Sequence, residues 1–482
     1  MRATRVSMAA LCVAVVAGCV SPAPRRKARP KKKMPPPPRP VAKVEPAPPA
    51  PTVSKPAPRE YSYEPNRERP LFRDFMGLNG HTVKFKPELY APTCRLARDY
   101  HGLNWDVGDD TSFETQFPFA RNRVNWDNVY GRWKKGGFEI DASVMFKSFK
   151  PGQWKDMKRD AHLYGKAFAS FFGPSSPKAL VAAAEIGNEP GNYGDEEYRT
   201  VFENMARGFR EGDPKLKVVT CNITVGKGGK YDKSVTCVAG LEHLYDVLNI
   251  HSYAQVEGWP TWRRSFPEDP GIEYLKSIER LVTWRDENAL GKEIWITEFG
   301  YDCSTKPQAR TGTFKKWVGV TDLQQAQYLV RSFLVFAKLD VDRAYIYFFD
   351  DNDSPRVHGA AGLTRKYQPK MSYYAVSHLY ESLGAYRLKG VVWERPGASY
   401  VYEFVHGDDA AKRVLVAWSP TGGGKSARVE IPLSGAKVER AERSPLTPGK
   451  PPAVDVTVTD DRAVVSCEET PLFVWIRAPG GE

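Results

Sequence analysis

The sequence predicts an α/β protein, a (β/α)8 barrel of the TIM type followed by a smaller all-β, sandwich-like module. Three observations carry this. Between about residues 70 and 385, short apolar runs ending in polar residues or glycine alternate with amphipathic stretches. After Leu383 the pattern changes to strict alternation at period two, broken by Gly, Pro and Asp clusters. Beyond the N-terminal segment roughly 420 residues remain, too many for one ordinary domain and enough for a large domain plus a small one.

Residues 1–19 read as an export signal. Arg2 and Arg5 form a basic start, and Met8 to Val16 form an apolar core too short to span a bilayer. The closing Val16-Ala17-Gly18-Cys19 resembles a bacterial lipobox, which would make Cys19 the lipidated N-terminus. An ordinary secretory peptide containing a cysteine is the plainer alternative. Because Val20, not aspartate, follows the cysteine, the expected address in a Gram-negative cell is the outer membrane.

Residues 20–60 are rich in Pro, Ala, Lys and Arg and cannot bury a core, so a semi-rigid spacer is expected. Residues 1–59 hold 13 Lys or Arg and one acid, Glu45, which gives 13 − 1 = +12 of the chain's +13. The remainder is therefore nearly neutral, and nucleic acid is not an expected partner. The basic tether would suit anionic headgroups or wall polymer as well as plain solubilisation. Cys94, Cys221, Cys237, Cys303 and Cys467 are an odd set without zinc-type spacing. A Cys221–Cys237 bridge and buried free thiols are both open. Histidines lack metal-ligand spacing, and neither a metal nor an organic cofactor is expected.

Residues 61–385 supply the barrel. Its strands are expected at Phe75 to Asn79, Gly102 to Asp106, Phe138 to Met145, Leu180 to Ile186, Lys217 to Cys221, Asp246 to His251, Glu293 to Thr297 and Arg343 to Phe349. Helices are expected between them, for example Glu196 to Arg210, Gly271 to Asn288, Asp322 to Lys338 and Met371 to Leu383. A doubly wound sheet would share this periodicity. Residues 386–482 form the β module, with strands such as Tyr400 to Val405, Arg413 to Trp418 and Leu472 to Ile476.

Chemistry in such a barrel sits where the strands run out at their C-terminal ends. The fourth strand ends Glu185-Ile186-Gly187-Asn188-Glu189-Pro190, and the seventh ends Ile294-Trp295-Ile296-Thr297-Glu298-Phe299-Gly300. Each places a carboxylate just after a buried strand, 298 − 189 = 109 positions apart. Retentive cleavage of a glycosidic bond needs two carboxyl groups about 5 Å apart, one to attack and one to protonate the leaving oxygen. An N-cap with a first-turn acid would also give Asn188-Glu189, and Glu298 alone would suit a solvated loop.

Together the two motifs resemble clan A of the glycoside hydrolases, in the style of families 39 and 5, over roughly residues 70–385. The resemblance implies a retaining glycosidase acting on an oligo- or polysaccharide, with Glu189 as acid/base and Glu298 as nucleophile; a monomer is expected. It assigns Asn188 to the sugar 2-hydroxyl and Tyr253 to orienting the nucleophile. His251 shares a face with Tyr253 and would line the same subsite or sit satisfied in the core. Asn79, His81, Trp105 and Asp106, at the expected ends of strands one and two, are sugar-binding or turn-forming candidates. Phe348, in Tyr347-Phe348-Phe349, is a candidate floor under the sugar ring, and Trp259 and Trp262 are candidate platforms. Several families of the clan carry an arginine on strand two, and none stands in Gly102 to Asp106. A silent glycan-binding lipoprotein, a transglycosylase and a purely structural envelope protein are the rival readings.

Overall fold

The computed structural model describes residues 68–479; the expected signal segment, Cys19 and the basic tether lie outside the described residues. Eight parallel strands close into a barrel: β1 (Met76–Asn79), β2 (Leu96–Gly102), β3 (Glu139–Met145), β4 (Ala183–Ile186), β5 (Lys217–Thr224), β6 (Val247–His251), β7 (Glu293–Phe299) and β8 (Arg343–Ile346). Each pairs with its sequence neighbours, and β8 returns to β1. Closure removes every edge and rules out the doubly wound alternative. Leu96, Ala183, Val219, Val247, Trp295 and Tyr345 fill one layer of the interior, which is a packed core rather than a channel.

The outer helices are α1 (Trp126–Lys135), α2 (Met157–Phe172), α3 (Asp195–Gly212), α4 (Tyr274–Asn288), α5 (Asp322–Lys338) and α6 (Met371–Leu383). Their starts follow from local chemistry. Asp156 accepts from the Arg159 N–H to cap α2, and Thr321 with Gln324 forms a reciprocal capping box on α5. Two connections depart from a full helix. After β1 there is one turn, Pro87–Tyr90, and after β5 only the 3-10 turn Val235–Cys237. Gly226, Gly228, Gly229 and Gly240 make the latter segment a poor helix.

Strand two is the main correction. It runs over Leu96–Gly102, and residues 103–106, expected as strand, belong to a short helix, Leu103–Val107. Arg98, Asp99 and His101 hide the strand from a hydrophobicity reading, yet all are fully buried because each has partners inside the fold. The five cysteines from Cys94 onward are buried and free, so the bridge between Cys221 and Cys237 is not formed.

The C-terminal module holds a five-stranded antiparallel sheet of β9 (Tyr386–Arg395), β10 (Ser399–His406), β11 (Lys412–Trp418), β13 (Lys437–Arg443) and β16 (Leu472–Arg477). A second, three-stranded sheet holds β12 (Ala427–Pro432), β14 (Thr457–Thr459) and β15 (Arg462–Cys467). Val401, Leu415, Ile431, Val465, Leu472 and Val474 share the core between them. The strands β13 and β15 go beyond the sequence expectation. In β13 charged residues outnumber the apolar ones, and β15 is a six-residue run that opens on exposed Arg462 and carries exposed Ser466.

A buried charge cluster ties the module to the barrel. Arg331 of α5 donates through Nε to Glu268 at 2.9 Å and through Nη1 to Glu469 of the module at 2.9 Å. The Trp418 indole N–H also donates to Glu268. Glu268 ends the long segment that follows β6, so this segment is clamped between barrel and module.

Candidate active site

The C-terminal ends of β1, β2, β4, β6, β7 and β8 meet in one polar cluster. Glu189 follows β4 and Glu298 lies within β7. Gly187, at φ +83°, turns the chain after β4 where a Cβ would press on the Phe146 ring at 3.1 Å. A register shift between Ile296 and Phe299 against β8, and another between Ile250 and His251 against β6, form an irregularity around Glu298. Such bulges re-aim side chains next to active sites.

Glu298 is buried and held from several sides. Its Oε1 accepts from the Tyr100 hydroxyl at 2.7 Å and from Arg98 Nη1 at 3.2 Å, and its Oε2 accepts from the Tyr253 hydroxyl at 2.9 Å. His251 Nδ1 stands 3.6 Å from the same Oε2. Burial alone would raise the Glu298 pKa, but His251, then Arg98 and the Tyr100 hydroxyl, outweigh it and bring it down to about 2. Burial and the Glu298 charge keep the Tyr100 and Tyr253 phenols well above their usual range, so both remain donors.

Glu189 is partly open to the pocket, its side chain 23% exposed against 6% for Glu298. Its Oε1 lies 3.0 Å from His251 Nδ1. One oxygen of Glu189, one of Glu298 and the His251 nitrogen all fall within 4.8 Å of one another. That separation belongs to the class of carboxyl pairs about 5 Å apart that retain configuration, not to the roughly 6.5–9.5 Å pairs that leave room for water and invert it. The three donor atoms are also close enough to converge on a single cation.

Beneath the pair lies a network centred on Arg98, which is fully buried. Its Nε and Nη2 form a fork onto Glu185 at 2.8 Å each, Nη2 also donates to Asn188 Oδ1 at 2.7 Å, and Nη1 donates to Asn79 Oδ1 at 2.8 Å. Ser143 Oγ donates to Glu185 as well, at 3.2 Å. Next to it, burial and then the Glu185 charge push the Asp141 pKa well above its ordinary value. One guanidinium thus fixes Glu298, Asn188 and a second buried carboxylate together.

Asn188, Glu189, His251, Tyr253 and Glu298 come together as the sequence places them. Asn79 joins them from below. It is fully buried, donates to the Thr297 and Ile346 carbonyls at 2.8 and 3.2 Å, and accepts from Arg98, which makes it a support for the site. His81 is half-buried with its ring 6.4 Å from that of Tyr100. Trp105 and Asp106 leave the strand-end set, because β2 stops before them. Asp106 is buried and accepts from His101, the Trp126 indole and the Tyr164 hydroxyl. Trp105 lies on that short helix, stacked at 6.3 Å on Trp126.

At the end of β8, Phe348 stacks on Tyr347 at 4.6 Å, and Tyr347 faces Tyr100 and His358 at 6.4 and 5.1 Å. Burial raises the Tyr347 pKa, and the charges of Glu298, Asp302 and Glu189 raise it further. Trp259 is 69% exposed in the segment after β6, and Trp262 is half-buried. Arg98 and Tyr100 are the site residues that sequence reasoning missed. Both follow from the misplaced second strand, and Arg98 is the strand-two arginine that the clan resemblance leads one to expect.

No protein-family model matches the chain, and no curated protein matches it. Solved structures do. A family 39 glycoside hydrolase from the gut symbiont Bacteroides cellulosilyticus WH2 superposes with a TM-score of 0.63 at 17% identity, covering 84% of this chain and 81% of that one. A family 51 alpha-L-arabinofuranosidase from Bifidobacterium longum gives 0.57 at 13% identity, with 84% and 96% covered. A family 30 subfamily 8 xylanase from Clostridium acetobutylicum gives 0.52 at 12% identity, again with 84% and 96% covered. These likenesses are of fold, shared with glycoside hydrolases of families 39, 51 and 30.

Proposed function

We propose that this protein is a retaining glycoside hydrolase, with Glu298 as nucleophile and Glu189 as acid/base. The observation that carries the reading is the convergence of the two carboxylates, one oxygen of each within 4.8 Å of the other, one deeply held and ionised, the other open to the pocket. In the first displacement a Glu298 oxygen bonds to the anomeric carbon while the glycosidic C–O bond breaks and Glu189 gives its proton to the leaving oxygen. In the second, Glu189 takes a proton from water, whose oxygen displaces Glu298 and frees the sugar. Asn188, held by Arg98, is placed to receive the 2-hydroxyl as charge develops on the ring. The sugar ring lies against Tyr347, with Trp259 available to further units of a chain. A β-linked glycan is the substrate this reading favours.

Lipidation at Cys19 would tether the enzyme to the outer membrane through the basic spacer, a reading supported by the order of basic start, apolar core and small residues before the cysteine. Loss of metabolic lipid labelling in Cys19→Ser would bear it out, and unchanged labelling would overturn it. For the activity, aryl β-glycosides and envelope or plant polysaccharides are screened with wild type, Glu298→Ala and Glu189→Gln. Glu298→Ala should lose turnover by at least about 10⁴-fold. Glu189→Gln should lose less in kcat/KM with leaving groups that need no proton, while its turnover, now limited by the second displacement, should be raised by azide. Wild-type turnover in Glu298→Ala would defeat the proposal.

A further inference from the structure

The wall of the pocket formed by the segment after β6 holds a charged pair that the chemistry above does not use. Arg264 and Asp302 are 5% and 4% exposed at their side chains, and Nη2 of the first lies 3.6 Å from Oδ2 of the second, beyond hydrogen-bond reach. Arg264 Nη1 is buried without a hydrogen-bond partner among the described residues. Asp302 receives one long bond among those residues, from the Ala360 N–H to Oδ1 at 3.4 Å. A donor and an acceptor, both buried and both short of partners, therefore stand side by side. Leaving such groups unmet is costly, because each has given up water without replacing it.

Their position points to what completes them. The Arg264 guanidinium lies 4.2 Å above the ring of Tyr253, the same tyrosine whose hydroxyl grips Glu298. His358, exposed at the pocket mouth, closes on the same ring at 5.3 Å. Arg264 is also held in place. It pairs with Gln255 in an antiparallel bridge, and the next N–H, of Ser265, donates to the Ala254 carbonyl at 2.7 Å. The clamp on Glu268 fixes the end of the segment. These bonds hold the backbone that carries the guanidinium, whose side chain is only 5% exposed.

We infer that Arg264 and Asp302 form a sugar-reading pair, in which Arg264 Nη1 donates to one hydroxyl oxygen and Asp302 accepts from the neighbouring hydroxyl of the pyranose beside Glu298. This rests on the glycosidase reading and deepens it. The substrate class is a neutral glycan whose sugar in that subsite carries two adjacent, unsubstituted hydroxyls on the edge facing this wall. A deoxygenated or O-alkylated sugar there strands both partners again, and sites built on such bonds reject the analogue strongly.

The test is a cycle between enzyme and substrate. Arg264→Gln and Asp302→Asn are assayed beside wild type on the best aryl glycoside from the screen and on its monodeoxy derivatives. Wild type should disfavour the derivative lacking the contacted hydroxyl by roughly 100-fold in kcat/KM. Arg264→Gln should lose a similar factor on the parent but less than about threefold on that one derivative. Circular dichroism and the melting temperature confirm that each variant is folded, and Arg264→Lys should recover part of the loss. Additive penalties at every deoxy position would overturn the pair's role while leaving the glycosidase reading intact. Failure of wild type to turn over any glycoside would overturn both.

Discussion

Replacing Arg98 by methionine separates the buried support of the site from its chemistry. Arg98→Met removes the fork onto Glu185 and the bonds to Asn79, Asn188 and Glu298. Glu185, fully buried, is left to neutralise itself by taking a proton. Burial already raises its pKa in the intact protein, partly offset by Arg98, so the folded value starts above the ordinary 4.5. At pH 7 the cost of protonating it is therefore at most (7 − 4.5) × 1.36, about 3 kcal/mol. At pH 5 the same bound falls below about 1 kcal/mol. The acceptors left on Asn79 and Asn188 add about 1–3 kcal/mol each at both pH values.

The sign is fixed by linkage. Glu185 has its folded pKa raised, so its contribution is fully present below the unfolded pKa and is lost as pH rises through the folded one. Loss of Arg98 widens that loss between pH 5 and 7. Chemical denaturation of wild type and Arg98→Met at both pH values should show a deficit that shrinks by up to about 3 kcal/mol on acidification. Glu185→Leu placed on Arg98→Met should restore stability at pH 7, a strongly non-additive result. A deficit that is the same at pH 5 and pH 7, or simple additivity in the double variant, would refute the reasoning.

Tyr253→Phe removes one of the hydroxyls on Glu298 and should lower kcat about 10- to 100-fold while moving the acid limb of kcat/KM upward; an unmoved limb would separate Tyr253 from the nucleophile. Because the Glu298 pKa is depressed to about 2, its stabilising contribution is present above pH 4.5 and lost as pH falls towards 2, so acid unfolding of Glu298→Gln should be less steep there than that of wild type. Trp418→Phe deletes the indole bond to Glu268 and should raise KM through the loosened segment, with a smaller change in kcat; equal changes in both would argue against the clamp. Trp259→Ala, at a position 69% exposed, should raise KM for polysaccharides but not for aryl glycosides, with the melting temperature unchanged.

The barrel and the acid pair were legible because their signals are local. A carboxylate just past a buried strand, twice, needs no knowledge of packing. Strand two was not legible, because Arg98, Asp99 and His101 look like a loop until their partners on β1, β4 and the neighbouring helices are in place. That single displacement hid Arg98 and Tyr100 and promoted Trp105 and Asp106 to a rim they do not reach. Tyr347 lay in view as one of three adjacent aromatics, but which ring faces the pocket depends on how the chain turns after β8. The Arg264–Asp302 pair carries no sequence pattern at all, since it joins two long segments that only the closed barrel brings together.

The central claim is that Glu298 bonds to the sugar. A 2-deoxy-2-fluoro β-glycoside with a good leaving group slows the second displacement and accumulates the intermediate, which peptide mass mapping then locates. One sugar on the peptide that contains Glu298, abolished in Glu298→Gln, is the expected result. A sugar on any other residue, or turnover of the parent substrate to the inverted anomer, would contradict the account.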